Sequence, residues 1–507
     1  MTVSKVLRAI YFEGFDIYST LSKCPSMEWI TTFIALLSLA SISLYQASAA
    51  SNPDIIKAMP GLLKQPSFDM FSGYLDGTGT KKLHYWYIES EHSVTDPLII
   101  WLSSGPGCST IYSALTSNGP FRVQPDGASL EYNPNSWNLN ANLLYIDAPV
   151  GTGFSYSLDS SYASNDTEVT EDHFQALLSF FTKYPNSTLN VIYIAGDGYS
   201  GVYAPLLLAK LDSVSQKLPL QFGGIAIGNP HTSLVLQDNS LIYFAYHHGI
   251  IGDKLWSVLS MSCCPQGKCN FHNNTNKQCE SAVNETVHDV LNIGINPYKV
   301  NGDCAGGVPV SSGMAGRDGF YHYPPGMQHI FAKSNLIQKQ QKHIKGIPSW
   351  KLKADLTCIN TTAVTKYLND RDVRSALHIG DDFPTWEVCN ATVDQLYTRQ
   401  YPDMSSVYTD LLNTFKYRLL VYSGDQDATH NFLGNEWFVT NLRREAEVQW
   451  RPWLYKNADD QDQVAGFVKE YDNIAFLTIK NAGFWAPRDQ PLATGLLIYN
   501  FINKRPY

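Results

Sequence analysis

Apolar residues come along this chain in short unbroken runs separated by amphipathic stretches. Tyr85–Ile88, Pro97–Leu102, Leu143–Ile146, Asn190–Ala195, Gly224–Gly228, Leu419–Tyr422 and Ala475–Ile479 are such runs. Each is too short for a helix and lacks the alternation of a half-wet strand, so the pattern predicts strands buried on both faces. Between two of them Asp172, Phe174, Leu177, Leu178 and Phe181 fall at helical spacing, with Pro185 as a stop, and a second helical run starts near Val202. Strands alternating with helices imply a mostly parallel central sheet covered by helices on both faces, with functional loops at the strands' C-terminal ends.

The alternation breaks between Asn229 and about Ser349, where cysteines, Gly- and Pro-rich turns and a basic stretch, Lys333 to Lys353, replace it. Residues 50–228 and 350–507 then read as two parts of one core, and 229–349 as an inserted cap subdomain pinned by disulfides. The basic stretch, six lysines without an acid, reads as a solvated loop open to proteolytic nicking. Residues 1–49 stand apart. An apolar run from Trp29 to Tyr45 ends in Ala47-Ser48-Ala49, the form of a signal peptide with cleavage near Ala50. Met27 would serve as its start, leaving 1–26 as an upstream extension. A membrane anchor is the rival reading of that run, and no later stretch is long and apolar enough to span a bilayer.

Three strand-end loops carry the candidate chemistry. The run Asn190–Ala195 feeds Gly196-Asp197-Gly198-Tyr199-Ser200-Gly201 and then a helix, the setting of the Gly-x-Ser-x-Gly nucleophile elbow of α/β hydrolases. The central position, however, is Gly198. The later loops Ser423–Asp427 and Lys480–Phe484 follow in the order of an acid loop and a base loop. The fold class expected is therefore α/β, an α/β-hydrolase fold with an inserted cap.

Composition adds the compartment. Of 507 residues 44% are hydrophobic and 16% charged, as in a folded globular chain. The net charge of −9 argues against a nucleic-acid partner. Beyond the leader stand Cys108, Cys263, Cys264, Cys269, Cys279, Cys304, Cys358 and Cys389, an even number that behind a signal peptide favours disulfides over metal thiolates. Six glycosylation sequons, at Asn165, Asn186, Asn273, Asn284, Asn360 and Asn390, agree with a secreted or lysosomal glycoprotein.

At this point a resemblance becomes specific. Ser103 to Thr110 is similar to the oxyanion turn of the serine carboxypeptidase family, Gly196 to Pro205 to its elbow, Ser423 to Asp427 to its acid loop and Asn481 to Pro487 to its base loop. The resemblance runs from about residue 55 to Tyr507. It implies disulfides Cys108–Cys389, Cys304–Cys358, Cys263–Cys279 and Cys264–Cys269, no cofactor, no metal, and a homodimer as one assembly. Carried over by position, the triad acid is kept as Asp427, the nucleophile position is Gly198 and the base position is Phe484. The backbone donors of the oxyanion hole fall at Gly105 and Tyr199, and the group that holds a substrate's terminal carboxylate falls at Ser103, Ser117 and Asp197. Without serine and histidine the proton-handling groups are gone. The expectation is a non-catalytic homologue that binds a protein partner or a peptide C-terminus. The alternative is an active serine-type carboxypeptidase or acyl hydrolase that uses relocated residues, with Ser200 as nucleophile and His430 as base.

Overall fold

The computed structural model describes residues 52–217, 220–291, 293–307, 321–323, 352–354, 356 and 358–507. The expected leader and nearly all of the basic stretch Lys333–Lys353 lie outside the described residues. Ten strands form the frame: β1 Met70–Asp76, β2 Lys81–Ile88, β3 Leu98–Leu102, β4 Asn142–Ile146, β5 Val191–Asp197, β6 Gln221–Gly228, β7 Arg418–Gly424, β8 Ala446–Lys456, β9 Asp462–Tyr471 and β10 Ile474–Ile479. Their order across the sheet is β1-β2-β4-β3-β5-β6-β7-β10-β9-β8, with the short Tyr156–Ser157 beside β2. Neighbours from β4 to β10 in that order are parallel, and the flanking pairs are antiparallel.

This is the α/β-hydrolase fold, and the physics behind it is visible strand by strand. All five residues of β3 and of β4 and all six of β10 are buried. A strand so placed must be apolar on both faces, which is why these runs do not alternate. The helices α1 Thr110–Thr116, α2 Asp166–Lys183 and α3 Ser200–Ser213 belong to the first part of the core. In α2 the Asn165 side chain accepts from the Glu168 N–H at 3.0 Å, acids sit in the first turn and Lys183 in the last, and Pro185 follows the end. Pro205 lies inside α3 and cannot donate to the carbonyl four residues back. That carbonyl, Gly201, instead accepts from the Tyr408 hydroxyl at 3.2 Å.

The inserted segment supplies α4 Leu234–His247, α5 Asp253–Cys263 and α6 Lys277–Leu291, and the second part of the core adds α7 Phe432–Asn441 and α8 Pro491–Ile502. Helices α4, α5 and α6 enclose a small core of their own around Leu241, Phe244, Leu259, Cys263, Cys279 and Val290. The large core lies against the sheet, where Trp86, Trp101, Trp386 and Trp453 are among its fully buried side chains. The disulfides are Cys108–Cys389, Cys263–Cys279, Cys264–Cys269 and Cys304–Cys358. Among the described residues no helix is long and apolar enough to cross a membrane.

Candidate functional site

The elbow forms where the sequence placed it, at the end of β5. Gly198 has φ +55°, a left-handed value that side-chained residues seldom adopt. Its N–H donates to the Gly228 carbonyl at 3.0 Å, and its carbonyl accepts from the His231 N–H at 2.8 Å. A Cβ at this position would stand 2.5 Å from the Ser104 carbonyl oxygen and 2.8 Å from the Phe484 ring. Both separations are shorter than van der Waals contact, so the space for a nucleophile's side chain is occupied. Phe484 is 4% exposed, and its ring centroid lies 4.8 Å from Trp485, 5.7 Å from His430 and 5.8 Å from Tyr298. Its backbone N–H donates to the Tyr298 carbonyl at 2.8 Å, which fixes the loop.

The expected oxyanion donors both have partners within the chain. The Tyr199 N–H donates to the Ser104 carbonyl at 2.8 Å, and the Gly105 N–H points to the Ser103 hydroxyl oxygen at 3.4 Å. Both partners are oxygens of the turn after β3. The Ser103 hydroxyl is itself engaged in the turn, donating to the Gly105 carbonyl at 2.8 Å or to that of Cys108.

Asp427 is fully buried and accepts from the Thr429 hydroxyl at 2.6 Å, the Thr429 N–H at 2.8 Å, the Asn229 amide at 2.9 Å and the His430 N–H at 3.2 Å. These donors favour the charged form, but burial outweighs them and the carboxyl is pushed up to about 7. Asp197 is buried, with neither carboxylate oxygen hydrogen-bonded in the structure. Burial first, and the facing Asp427 second, hold it well above the usual carboxylate range. Its Oδ1 and the Tyr422 ring lie 2.5 and 2.7 Å from where a Cβ on Gly228 would stand, so the strand end is packed tight beneath the elbow. Ser117, the third remnant, is buried at the end of α1.

The relocated residues separate. Ser200 is the first residue of α3 and is fully buried, and its hydroxyl donates to the Ser103 carbonyl at 2.7 Å or to that of Leu102 at 3.1 Å. It faces the carbonyls at the end of β3 and is shut off from solvent. His430 does sit beside the site, its Nδ1 3.2 Å from the Thr429 hydroxyl. A second Ser-His-Asp alignment that sequence reasoning missed lies elsewhere: Ser72 Oγ is 2.9 Å from His84 Nε2, and His84 Nδ1 is 4.0 Å from Asp147 Oδ2. All three are fully buried, and the Ser72 hydroxyl donates to the Leu377 carbonyl at 2.8 Å, so His84 Nε2 donates to it rather than taking its proton. This is a packing network. Nothing but contact distance could have revealed it, since the three residues share no motif.

Among the sequons, Asn186, Asn273 and Asn360 are exposed, while Asn165, Asn284 and Asn390 are half-buried. The Asn390 amide that would carry a glycan donates to the Gly151 carbonyl at 3.0 Å, and that of Asn165 to Glu168 at 2.9 Å. No cluster of His, Cys, Asp or Glu suited to a metal ion occurs among the described residues.

Comparison with known proteins places this geometry. Residues 60–504 match the family model for serine carboxypeptidases. The chain is 43% identical over 480 residues to the lysosomal protective protein of Mus musculus, covering 94% of this chain and 98% of the relative. It is 31% identical over 471 residues to the serine carboxypeptidase ctsa-4.1 of Caenorhabditis elegans, covering 90% and 95%. The crystal structure of a prohormone-processing carboxypeptidase from Saccharomyces cerevisiae, Kex1(delta)p, superposes with a TM-score of 0.66 at 21% identity, over 88% of this chain and 94% of that one.

Proposed function

The chain belongs to the serine carboxypeptidase family, and from that premise we propose that this member does not cleave peptide bonds and works by binding. The observation that carries the proposal is the filled elbow: the Phe484 ring and the Ser104 carbonyl stand where a nucleophile's side chain would have to be. Acyl transfer on this fold needs a hydroxyl nucleophile, a base to take its proton and donors for the oxyanion. Gly198 supplies no hydroxyl, Phe484 accepts no proton, and the Tyr199 N–H is bonded within the chain. Of the triad only Asp427 is kept, and it is hydrogen-bonded to its own loop and to Asn229.

The same reading covers location and partner. Exposed sequons and four disulfides support a glycoprotein of the secretory pathway, lysosomal or extracellular. The mouse relative is a lysosomal protective protein, and its name supports a destination of that kind and a protective role. The test is an assay of purified mature protein on N-blocked dipeptides, from acid to neutral pH, beside the double variant Gly198→Ser/Phe484→His. No turnover is expected from the unaltered chain. Turnover by that chain, abolished by Ser200→Ala, overturns the proposal.

A further inference from the structure

Helix α8 carries apolar residues on two faces. Ala493, Leu497, Ile498 and Phe501 are buried on the side that meets the core. A second set, Leu492, Gly495, Leu496 and Tyr499, recurs at the i, i+3, i+4, i+7 spacing of one helix face. This face is turned outward: Leu492 is 51% exposed and the other three are half-buried. Beside it stands the turn at residues 135–140, built on the short 3-10 helix Trp137–Leu139 that Ser136 caps. Turn and helix enclose a cleft of about 340 Å³, lined by Leu139 from the turn and by Leu492, Leu496, Ile498, Tyr499 and Ile502 from the helix. Gly495 lines it as well, and a Cβ there would meet nothing within 4 Å, so the cleft is open at the middle of the outward face.

The rim of this apolar cleft offers donors and no acid. Asn135 and Asn140 line it at the turn. Arg505, just past the end of α8, holds its guanidinium 4.8 Å from the centre of the Tyr499 ring. Among the described residues the side-chain amides of Asn135 and Asn140 and the guanidinium of Arg505 make no hydrogen bond or ion pair. Neither 133–142 nor 491–507 contains an Asp or Glu, and Lys504 adjoins Arg505. Apolar walls with a few free polar groups at one edge are the make-up of a small-molecule site, and a cation without an acid fits a ligand whose head is an anion. At about 30 Å³ per water-sized group the cleft takes about eleven carbon-sized groups, one medium acyl chain but not the paired chains of a phospholipid.

We propose that this cleft binds a medium-chain fatty acid, with the acyl chain along the outward face of α8 and the carboxylate toward Arg505. Filling the cleft removes Leu492, Leu496 and Tyr499 from water, which is the driving force, and the guanidinium supplies the preference for an anionic head. The site shares no residue with the former triad, so it stands independently of the proposed loss of peptidase activity.

Calorimetric titration of the full-length mature protein at neutral pH tests it, with sodium decanoate below its micellar concentration as the probe. Sodium acetate gives the head without the chain, and decyltrimethylammonium the chain with the opposite head. Saturable binding of decanoate is expected, tighter than that of either comparison compound. Gly495→Leu fills the cleft with a better helix former and should weaken decanoate at least about tenfold. Leu492→Glu, at an exposed side chain, sets a like charge at the mouth and should weaken decanoate while sparing decyltrimethylammonium. Arg505→Gln should narrow the difference between the two. Near-UV circular dichroism checks the fold of each variant. No saturable binding of decanoate, decyltrimethylammonium bound as tightly as decanoate, or decanoate binding unchanged in the folded Gly495→Leu or Leu492→Glu protein overturns the site.

Discussion

At the scale of the residue, Phe484 and Gly198 are coupled by contact. Phenylalanine at the base position removes a proton acceptor and also fills the volume a serine would need, with its ring 2.8 Å from the absent Cβ. Restoring the serine alone is therefore unfavourable twice, through the +55° φ and through the ring. Gly198→Ser is expected to destabilise by about 1 to 3 kcal/mol and to give no peptidase activity, read by urea unfolding and dipeptide turnover. Phe484→Ala empties a buried site among Tyr298, His430 and Trp485, and unfolding should show a loss of about 3 to 5 kcal/mol. The two missing side chains were legible in the sequence, because they are identities at motif positions. That one ring occupies the other's space was not, since it depends on two loops distant in the chain meeting across the sheet. The closed oxyanion turn was illegible for a like reason: it depends on which way the Ser104 carbonyl points, and no residue type announces that.

Elements were read well where burial alone decides the pattern. The runs at β3, β4, β5, β7 and β10 are apolar because both sheet faces are covered, so each of their ends came out within two residues. The antiparallel hairpin β8–β9 escaped, because its outer face exposes Trp450, Leu454, Val464 and Phe467 among charged residues and its register is broken by bulges. No periodicity survives such a pattern. In α3 the substitution for a missing bond should be measurable: Tyr408→Phe removes the donor to the Gly201 carbonyl and is expected to cost about 1 kcal/mol in chemical unfolding. In the cap, Cys263–Cys279 closes a short loop joining α5 to α6. Its removal by paired serine substitutions is expected to cost about 3 kcal/mol, seen as faster hydrogen exchange in α5 and α6 before the sheet is affected.

For the whole molecule the buried titratable groups set a pH dependence. Burial pushes Asp147 up to about 6 and Asp427 and Glu89 up to about 7, and it holds Asp197 well above the usual carboxylate range. Folding keeps protons on these carboxyls that the unfolded chain releases near its ordinary values, so their contribution is full in acid and is lost as pH rises through 6 to 7. His84 and His173 act oppositely. Burial pushes them down to about 3 and about 4, so their contribution is present above their ordinary 6.5 and lost as pH falls toward the folded values. The two sets offset each other in mild acid. Above about 6.5 only the carboxyls still act, and the melting temperature should fall as pH passes from there through 7, where Asp427 and Glu89 lose their protons. Glu89→Gln, a neutral side chain of the same shape, should flatten that fall without loss in acid.

At this same scale the central question is whether any serine of the folded chain is activated as a nucleophile. The most direct measurement is exposure of the native protein to a fluorophosphonate probe, followed by mass spectrometry of every serine-containing peptide. No adduct is expected anywhere, because Gly198 offers no hydroxyl and the hydroxyl of Ser200 is buried against the end of β3. A stoichiometric adduct on Ser200, or on any other serine and lost on unfolding, would contradict the reading of this chain as a carboxypeptidase fold kept for binding.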